Sequence, residues 1–397
     1  MTLFKFSFYR QLHIVPTLPT VRVTSEVSCR LPGLMKEHEL KLGEINKVFA
    51  SRWLNEGFVA FGSKCNKLFV VDVRTKQMRQ IPSLDSSSNS NPAESPCGIH
   101  CIDINPSGRL LATGGVNVND VAVYKLPTFD PLAVGEAGHQ DWVFDCKWVD
   151  DEFLVSGSRD SKLILWKFDE DDVSKAPPSS SLHKHLEEDQ LYVPQHSFCK
   201  PVVTKECKEA QRIRALAYSS DRTELAALSM NAYLHLWDAN TFTQKIYRKL
   251  KLHRENVCLA ANKLRNVYAI GSLSDVTIID PLCLKSPIYI SLRQSPCGIR
   301  SLNFIDDILS IGTGNGFVHF YDMRAGRLLE LGCGHPCSLS MGDGWLLHDD
   351  VYREIFHDTD YPNAVYTHCF DPSGTRMFSA GGPLPVGLWG NYGGLWQ

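Results

Sequence analysis

The sequence predicts an all-β fold: a closed propeller of seven four-stranded blades, preceded by a short N-terminal arm. The chain has 397 residues, 43% of them hydrophobic and 21% charged, which is enough apolar material for a large core. Short strand-like runs with Gly-rich turns recur along the chain, and three of the six intervals between equivalent positions equal 42 residues. A period of about 40–45 residues in such runs is typical of propeller blades.

The clearest repeat runs from Gly138 to Phe168. The stretches 142–149, 153–158 and 163–168 alternate as strands, and a tight turn at 159–161 separates the last two. The stretch is similar to a WD40 repeat. That resemblance implies a buried hydrogen-bond relay between the leading loop and the third strand, formed by His139, Ser156, Asp160 and Trp166. Because one blade cannot bury both of its faces, further copies must follow.

Six looser copies accompany this repeat. The ends of the predicted third strands align at Val71-Asp72, Tyr124-Lys125, Trp166-Lys167, Trp237-Asp238, Ile279-Asp280, Tyr321-Asp322 and Trp389-Gly390. The intervals are 53, 42, 71, 42, 42 and 68 residues, so the longer ones contain insertions. The inner strands align as well, and Ser95-Pro96-Cys97-Gly98-Ile99 recurs unchanged at 295–299. Seven units satisfy these alignments.

The predicted domain division is an N-terminal arm, 1–45, and a propeller, 46–397. Residues 34–42 are expected to form either a short helix or the outer strand that closes blade seven, because a closed ring leaves no unpaired edge there. Insertions are predicted at 169–210 and 332–362, the second with a possible helix from Asp349 to Phe356. Residues 83–95 form a Ser/Asn-rich loop.

Composition narrows the range of functions. The formal net charge is −3 and the pI about 6.5, so we expect neither nucleic acid nor membrane as a partner. No run approaches the ~18 apolar residues of a membrane helix, and charged residues interrupt the N-terminal apolar stretch. Thirteen cysteines, mostly in apolar strands, fit a reducing compartment, and we expect the cytoplasm and the nucleus.

Neither a cofactor nor a metal is expected, and no catalytic residue stands out. Cys333, His335 and Cys337 match no common zinc spacing. The glycine-rich run at 312–316 joins two strands and does not open a helix, so it is interpreted as a turn. The histidines are scattered singly. The sequence therefore favours a binding protein over an enzyme.

Basic residues recur at one end of the predicted ring. In such a blade the start of the inner strand and the turn between the second and third strands lie on the same end face. The residues at these positions include Lys47, Lys64, His100, Arg159, Arg212, Arg214 and Arg300, without Asp or Glu at the matched inner-strand positions. Arg214, Arg300 and His100 share one register position, and Phe144, Cys258 and Tyr366 complete the same column. Converging cations would concentrate anions at the mouth. Alternatively, a given Arg is solvated or pairs with a carboxylate of a neighbouring blade.

Longer stretches resemble a particular family. The runs 46–51, 68–73, 254–260, 363–369 and 380–385 are similar to the WD40 substrate receptors of cullin-4 RING ubiquitin ligases, and the similarity covers residues 34–397. The resemblance implies a non-catalytic receptor for proteins that end in acidic residues, chiefly Glu-Glu. It also implies that the same seven basic residues bind the substrate. Residues 1–33 do not match the family's basic, helical arm.

The resemblance also implies partners. The damage-binding adaptor of cullin-4 ligases would bind directly, cullin-4 and the RING subunit indirectly. The family often carries a Trp-Asp-x-Arg box after a third strand, and the corresponding residues here are Tyr321, Asp322 and Arg324, with Tyr in place of Trp. Val71-Asp72-Val73-Arg74 is a weaker second candidate. The alternatives left open are a phosphopeptide-reading propeller, a scaffold without a ligase role and, last, a propeller enzyme.

Overall fold

Seven β-sheets surround a central channel in the computed structural model of the chain, which describes residues 29–87, 97–169, 196–251, 255–284, 286–292, 297–331, 334–356 and 361–397. Each sheet is one blade, and its strands follow one another outward from the channel. The predicted fold class, a seven-bladed propeller with a short N-terminal arm, is confirmed.

Blades one to four account for the first half of the propeller. Blade one contains Val48–Trp53, Phe58–Ser63, Leu68–Asp72 and Met78–Ile81; blade two contains Ile102–Ile104, Leu110–Gly114, Val121–Lys125 and Asp130–Gly135, with Ser197–Cys199 added at its edge. Blade three contains Val143–Trp148, Phe153–Ser158, Lys162–Lys167 and Val203–Glu206; blade four contains Ile213–Ser219, Glu224–Ser229, Tyr233–Asp238 and Thr243–Lys249.

Blades five to seven complete the ring. Blade five contains Cys258–Asn262, Val267–Gly271, Asp275–Ile279 and Ile288–Ser291; blade six contains Ile299–Ile305, Ile308–Thr313, Phe317–Asp322 and a split outer strand, Arg327–Leu328 and Ser338–Ser340. Blade seven contains Asn363–Phe370, Met377–Pro383, Gly390–Trp396, Glu37–Glu39 and Trp345–Leu346. The helical segments among the described residues are short: a 3₁₀ turn, Leu31–Gly33, preceded by helical residues 29–30, and a π-helical turn, Tyr352–Phe356, preceded by helical residues 350–351.

Blade three contains the predicted hydrogen-bond relay. The His139 Nδ1 atom lies 3.1 Å from an Asp160 carboxylate oxygen, and its Nε2 atom lies 2.7 Å from the Ser156 hydroxyl. The indole N–H of Trp166 donates to the same hydroxyl at 2.8 Å. His139, Ser156 and Trp166 are buried, so the relay satisfies polar groups that would otherwise be costly in the core.

The position assigned to Trp389-Gly390 in blade seven was wrong. The third strand of that blade begins at Gly390 and ends at Trp396. The Trp396 indole N–H donates to the Ser379 hydroxyl at 2.8 Å, the same bond that Trp166 makes with Ser156. The six-residue connection between Pro383 and Gly390 explains the error, because it places a tryptophan before the strand as well as at its end.

The N-terminal arm closes the ring as a strand, one of the two forms expected for residues 34–42. Glu37–Glu39 pairs antiparallel with the third strand of blade seven, and His38 lies opposite Leu395. The Tyr392 hydroxyl donates to the Glu37 carboxylate, and the Asn391 side-chain amide donates to two backbone carbonyls of the arm, those of Gly43 and Ile45.

Both insertions contribute strands that the repeat spacing did not predict. Val203–Glu206 is the outer strand of blade three, whereas Ser197–Cys199 crosses back and pairs in parallel with the outer strand of blade two. In the second insertion, Tyr352–Phe356 lies within the predicted helix. Of the predicted Ser/Asn-rich loop, only 83–87 falls within the described residues. No described helix combines the length and apolar character needed to cross a bilayer.

Candidate functional site

A backbone irregularity recurs on the inner strands and determines what faces the channel. In blades one, three, four and six the pairing of the first two strands skips one residue of the inner strand. A residue skipped in this way is a β-bulge, which redirects its side chain out of the regular alternation. The skipped residues are Phe49, Phe144, Arg214 and Arg300.

These side chains line a cavity of about 190 Å³ in the channel. Each blade contributes one residue at the same level: Phe49, His100, Phe144, Arg214, Val257, Arg300 and Tyr366. The predicted column was wrong in blade five. Cys258 pairs with Gly271 as Ser301 pairs with Gly312, so Cys258 lies one position further along its strand and Val257 occupies the column.

Aromatic rings form a continuous arc around this level. Phe49 stacks on His100 with ring centroids 4.5 Å apart and meets Tyr366 edge-on at 5.2 Å. Phe144 meets His100 edge-on at 5.1 Å. The Arg214 guanidinium lies over the Phe144 ring, 4.5 Å from its centroid, which is a cation–π contact. The arc therefore gives the cavity an apolar wall and holds the Arg214 guanidinium beside it.

His100 is a neutral member of this ring and not one of the converging cations that the sequence suggested. Burial, together with the charge of Arg214, lowers the pKa of His100 well below its usual value. Its Nε2 atom lies 2.9 Å from the thiol of Cys97. At neutral pH the imidazole is thus a hydrogen-bonding group, and the positive charge at this level comes from Arg214 and Arg300.

Arg300 is only partly satisfied. Its Nη2 atom donates to the Cys297 carbonyl at 3.0 Å and to the Glu255 carboxylate at 3.0 Å. Its Nε–H is buried and has no hydrogen-bond partner. A Cβ on Gly298, which has a φ of +83°, would lie 2.9 Å from Nη2, so a glycine here leaves room for the guanidinium. An acceptor that entered the cavity could satisfy the free Nε–H.

Three more of the predicted residues lie around the mouth. Arg159 stacks on Trp142 at 4.8 Å and pairs with the Asp141 carboxylate at 3.4 Å. Arg212 is exposed one residue before the inner strand of blade four. Lys64 lies in the turn after the second strand of blade one and donates to the Val386 carbonyl at 3.3 Å.

Lys47 differs from the other cations because it is buried. Its ammonium group donates to the Pro385 carbonyl at 2.6 Å. Burial, with a smaller contribution from the charge of Lys64, lowers the pKa of Lys47 to about 8. The contact fixes the connection between the second and third strands of blade seven beside the mouth.

The structure adds carboxylates that the register argument missed. Glu255 and Asp141 precede their inner strands and pair with Arg300 and Arg159. Asp145 lines the cavity and accepts hydrogen bonds from the Leu216 amide at 2.7 Å and the Lys147 ammonium at 3.1 Å. Arg300 therefore pairs with a carboxylate of a neighbouring blade, which was the alternative left open for each arginine. Any anionic ligand would compete with Glu255 for that guanidinium.

The predicted adaptor residues lie on the opposite end face, where the third strand of blade six ends. Tyr321 is buried, and the Asp322 carboxylate accepts from the backbone N–H groups of Arg324 and Ala325 at 2.7 and 3.1 Å. The Arg324 side chain is half-exposed and lies 3.9 Å from Asp307. Of the three, Arg324 is the most exposed.

The aspartate of this turn has a structural role in other blades too. Asp72 accepts from the Arg74 backbone N–H at 2.8 Å, and Asp238 accepts from that of Asn240 at 3.0 Å. Hydrogen bonds of this kind stabilise a tight turn whatever binds outside it. Val71-Asp72-Val73-Arg74, the weaker second candidate, therefore shares the local geometry of the first.

Among the described residues, no three His, Cys, Asp or Glu side chains come together as metal ligands. Cys333, part of the spacing discussed above, lies outside those residues.

The comparison with family models matches residues 31–397 to the DDB1- and CUL4-associated factor 12 β-propeller. The chain belongs to this family. Among individual proteins, "Protein HIR1" of two Cryptococcus neoformans var. neoformans serotype D strains is 27% identical over 167 residues, 39% of this chain and 17% of the relative. "Telomerase protein component 1" of Rattus norvegicus is 36% identical over 70 residues, 17% of this chain and 3% of the relative. The chain thus spans under a fifth of the length of these relatives.

Proposed function

We propose that this chain is a non-catalytic substrate receptor of a cullin-4 RING ubiquitin ligase, and that it captures proteins with acidic C-termini, chiefly Glu-Glu. The observation that carries the proposal is the pair of bulged arginines, Arg214 and Arg300, at one level of the channel. Membership of a family named for DDB1 and CUL4 supports the ligase role. Captured proteins would be presented for ubiquitination and proteasomal degradation.

The chemistry of the mouth suits such a ligand. A chain that ends in Glu-Glu carries three carboxylates within two residues. Guanidinium groups bind carboxylates through two parallel hydrogen bonds, and Arg300 has a buried Nε–H still without an acceptor. The terminal carboxylate would displace Glu255 from Arg300, while Lys64, Arg159 and Arg212 attract the remaining charge at the mouth.

The apolar arc adds selectivity to this attraction. Its rings exclude water from one side of the cavity, which strengthens the charged hydrogen bonds made there. His100, held neutral, can accept or donate a hydrogen bond without adding repulsion between cations. A carboxylate beside Arg214 and Arg300 would thus be paired and partly desolvated.

We place the adaptor contact on the opposite end face, around Arg324. Separate faces would let DDB1 and a substrate bind simultaneously, with cullin-4 and the RING subunit recruited through DDB1. A receptor with this arrangement needs no catalytic group of its own. We expect this receptor in the cytoplasm and the nucleus.

The test is calorimetry with the full chain and three peptides of identical length. One ends in Glu-Glu with a free carboxylate, one in amidated Glu-Glu, and one carries phosphoserine and an amidated end. The proposal predicts the tightest binding for the free carboxylate and weaker binding as salt rises. Equal affinity for the free and amidated ends would refute recognition of the C-terminus, and tightest binding of phosphoserine would favour a phosphopeptide-reading propeller.

A further inference from the structure

An apolar patch borders the basic mouth on the side of blade seven. We call it the rim patch: exposed large hydrophobic side chains that the second insertion and the adjacent turn bring together, Leu347, Val351, Ile355, Val386 and Trp389. Val386 is 82% exposed and Ile355 65% exposed. Exposed apolar residues scattered singly are ordinary, but a cluster of them indicates an interaction surface.

Backbone contacts hold the two parts of the rim patch together. The Leu347 N–H donates to the Trp389 carbonyl at 2.8 Å, and Leu346 pairs with Gly390. A Cβ on Gly387 would lie 3.5 Å from Val351, so the helical turn of the insertion lies directly against the turn that carries Val386. These contacts fix the rim patch to blade seven.

The rim patch is continuous with the candidate site. The Lys64 ammonium donates to the carbonyl of Val386 itself, at 3.3 Å, and Lys47 donates to the carbonyl of Pro385, at 2.6 Å. One turn of the chain thus presents carbonyl oxygens to two cations of the mouth and an apolar side chain to solvent. A bound peptide that leaves the mouth over blade seven would pass Val386.

The charges around the rim patch differ in sign from those of the mouth. Asp349, Asp350 and Glu354 lie on the same helical segment, against one cation, Arg353, which is 3.7 Å from Asp350. Asp350 is 90% exposed. Acidic side chains on a ligand would be repelled here, whereas apolar and basic side chains would be accommodated.

We propose that the rim patch binds the substrate segment immediately upstream of the acidic C-terminus, and that this segment carries apolar and basic side chains. The inference rests on the proposed function, because that function fixes the substrate's last residues in the mouth. An extended chain advances about 3.3 Å per residue, so roughly ten residues reach from the central channel to the edge of a domain of this size. Substrates would be selected by two features of opposite character, an acidic end and an apolar-basic stretch before it.

The test compares three peptides of equal length, all ending in Glu-Glu with a free carboxylate. Their upstream residues are Gly/Ser, alternating Leu/Lys, or alternating Ser/Asp. We expect the Leu/Lys peptide to bind about tenfold tighter than the Gly/Ser peptide, which corresponds to about 1.4 kcal/mol. The Ser/Asp peptide should bind no tighter than Gly/Ser, although its negative charge is larger.

Two protein variants make the test specific to the patch. The double variant Val386→Ser, Ile355→Ser should erase the advantage of the Leu/Lys peptide and leave the affinity for the Gly/Ser peptide unchanged. Leu282→Ser is the matched control, since Leu282 is 81% exposed in blade five, in the turn after the third strand, on the opposite end face. It should alter neither affinity.

The outcomes separate this inference from the function on which it rests. If the Gly/Ser and Leu/Lys peptides bind equally, or if the double variant keeps the difference, the rim patch proposal is wrong while capture of acidic ends stands. If none of the three Glu-Glu peptides binds, the proposed function is wrong and the rim patch proposal with it. A Ser/Asp peptide that binds tightest would also overturn the rim patch proposal and would indicate a purely electrostatic mouth.

Discussion

Arg300→Ala is the substitution that examines the candidate site most directly. The change removes a guanidinium at the level of the cavity whose Nη2 atom already bonds Cys297 and Glu255 and whose buried Nε–H has no acceptor. A carboxylate that bound this group would gain charged hydrogen bonds, each contributing about 1.5–3 kcal/mol. It would first displace Glu255, whose pairing is worth at most about 1 kcal/mol because the carboxylate is half-exposed.

Removing Arg300 should therefore weaken the binding free energy by a net amount of about 2 kcal/mol. This corresponds to roughly thirtyfold lower affinity for a peptide ending in Glu-Glu. Glu255→Gln should act in the opposite direction, with a gain of up to about fivefold, because the guanidinium no longer has a charged competitor. Calorimetry with purified variants measures both changes, and circular dichroism establishes that each variant is folded.

Arg327→Ala is the matched control, since that exposed arginine lies in the outer strand of blade six, remote from the channel, and pairs with Glu330. It should bind the peptide as the unchanged chain does. Wild-type affinity for Arg300→Ala would refute the argument, as would weaker binding by Glu255→Gln. The second result would mean that Glu255 orders the guanidinium and does not compete for it.

Three further predictions concern the adaptor face, the relay and the pH dependence of stability. Arg324→Ala should reduce co-purification with DDB1 at least severalfold while peptide affinity stays constant; unchanged recovery of DDB1 would assign Arg324 a solvent role only. Ser156→Ala leaves His139 and Trp166 without their shared hydroxyl and should lower the free energy of unfolding by about 1–3 kcal/mol in chemical denaturation, whereas a loss near zero would show that the relay is not stabilising. Burial lowers the pKa of His368, held between two serine hydroxyls, to about 4, below the ~6.5 of an unfolded histidine. As the pH falls, the unfolded chain therefore takes up the proton first. The contribution of His368 to the free energy of unfolding is complete above pH 6.5 and should fall by about 2 kcal/mol at pH 5. His368→Asn should remove this part of the pH dependence, measured by denaturation at pH 5 and 7.

The sequence was most informative where each blade follows its own local pattern. The first three strands of blade three begin and end within one residue of their predicted bounds, because the polar groups of the relay and the alternating apolar residues specify them locally. Blade seven shows the limit of such reasoning. Its third strand is preceded by a connection with a tryptophan of its own. The strand pairings and the hydrogen bond from Trp396 to Ser379 identify the correct alignment.

The strand register of the repeats located the cations of the candidate site, but it did not predict the groups that surround them. Arg214 and Arg300 do line the cavity, because the bulge recurs at the same step of each inner strand. Neither the protonation of His100 nor the pairing of Arg300 with Glu255 could be predicted. Both depend on groups from other blades, and the repeat period does not show which of these groups are in contact. The strands supplied by the insertions were missed for the same reason.

The closure of blade seven has a consequence for how the chain is made. Glu37 and Tyr392, which bond each other, are separated by 355 positions, so the arm emerges from the ribosome long before its partner strand exists. At roughly 5–20 residues per second, the Glu37–Glu39 edge waits tens of seconds unpaired. During that interval six blades can assemble in order while the ring stays open. A premature stop before Gly390 would therefore leave two exposed strand edges in an otherwise complete propeller, a species suited to capture by chaperones or to aggregation.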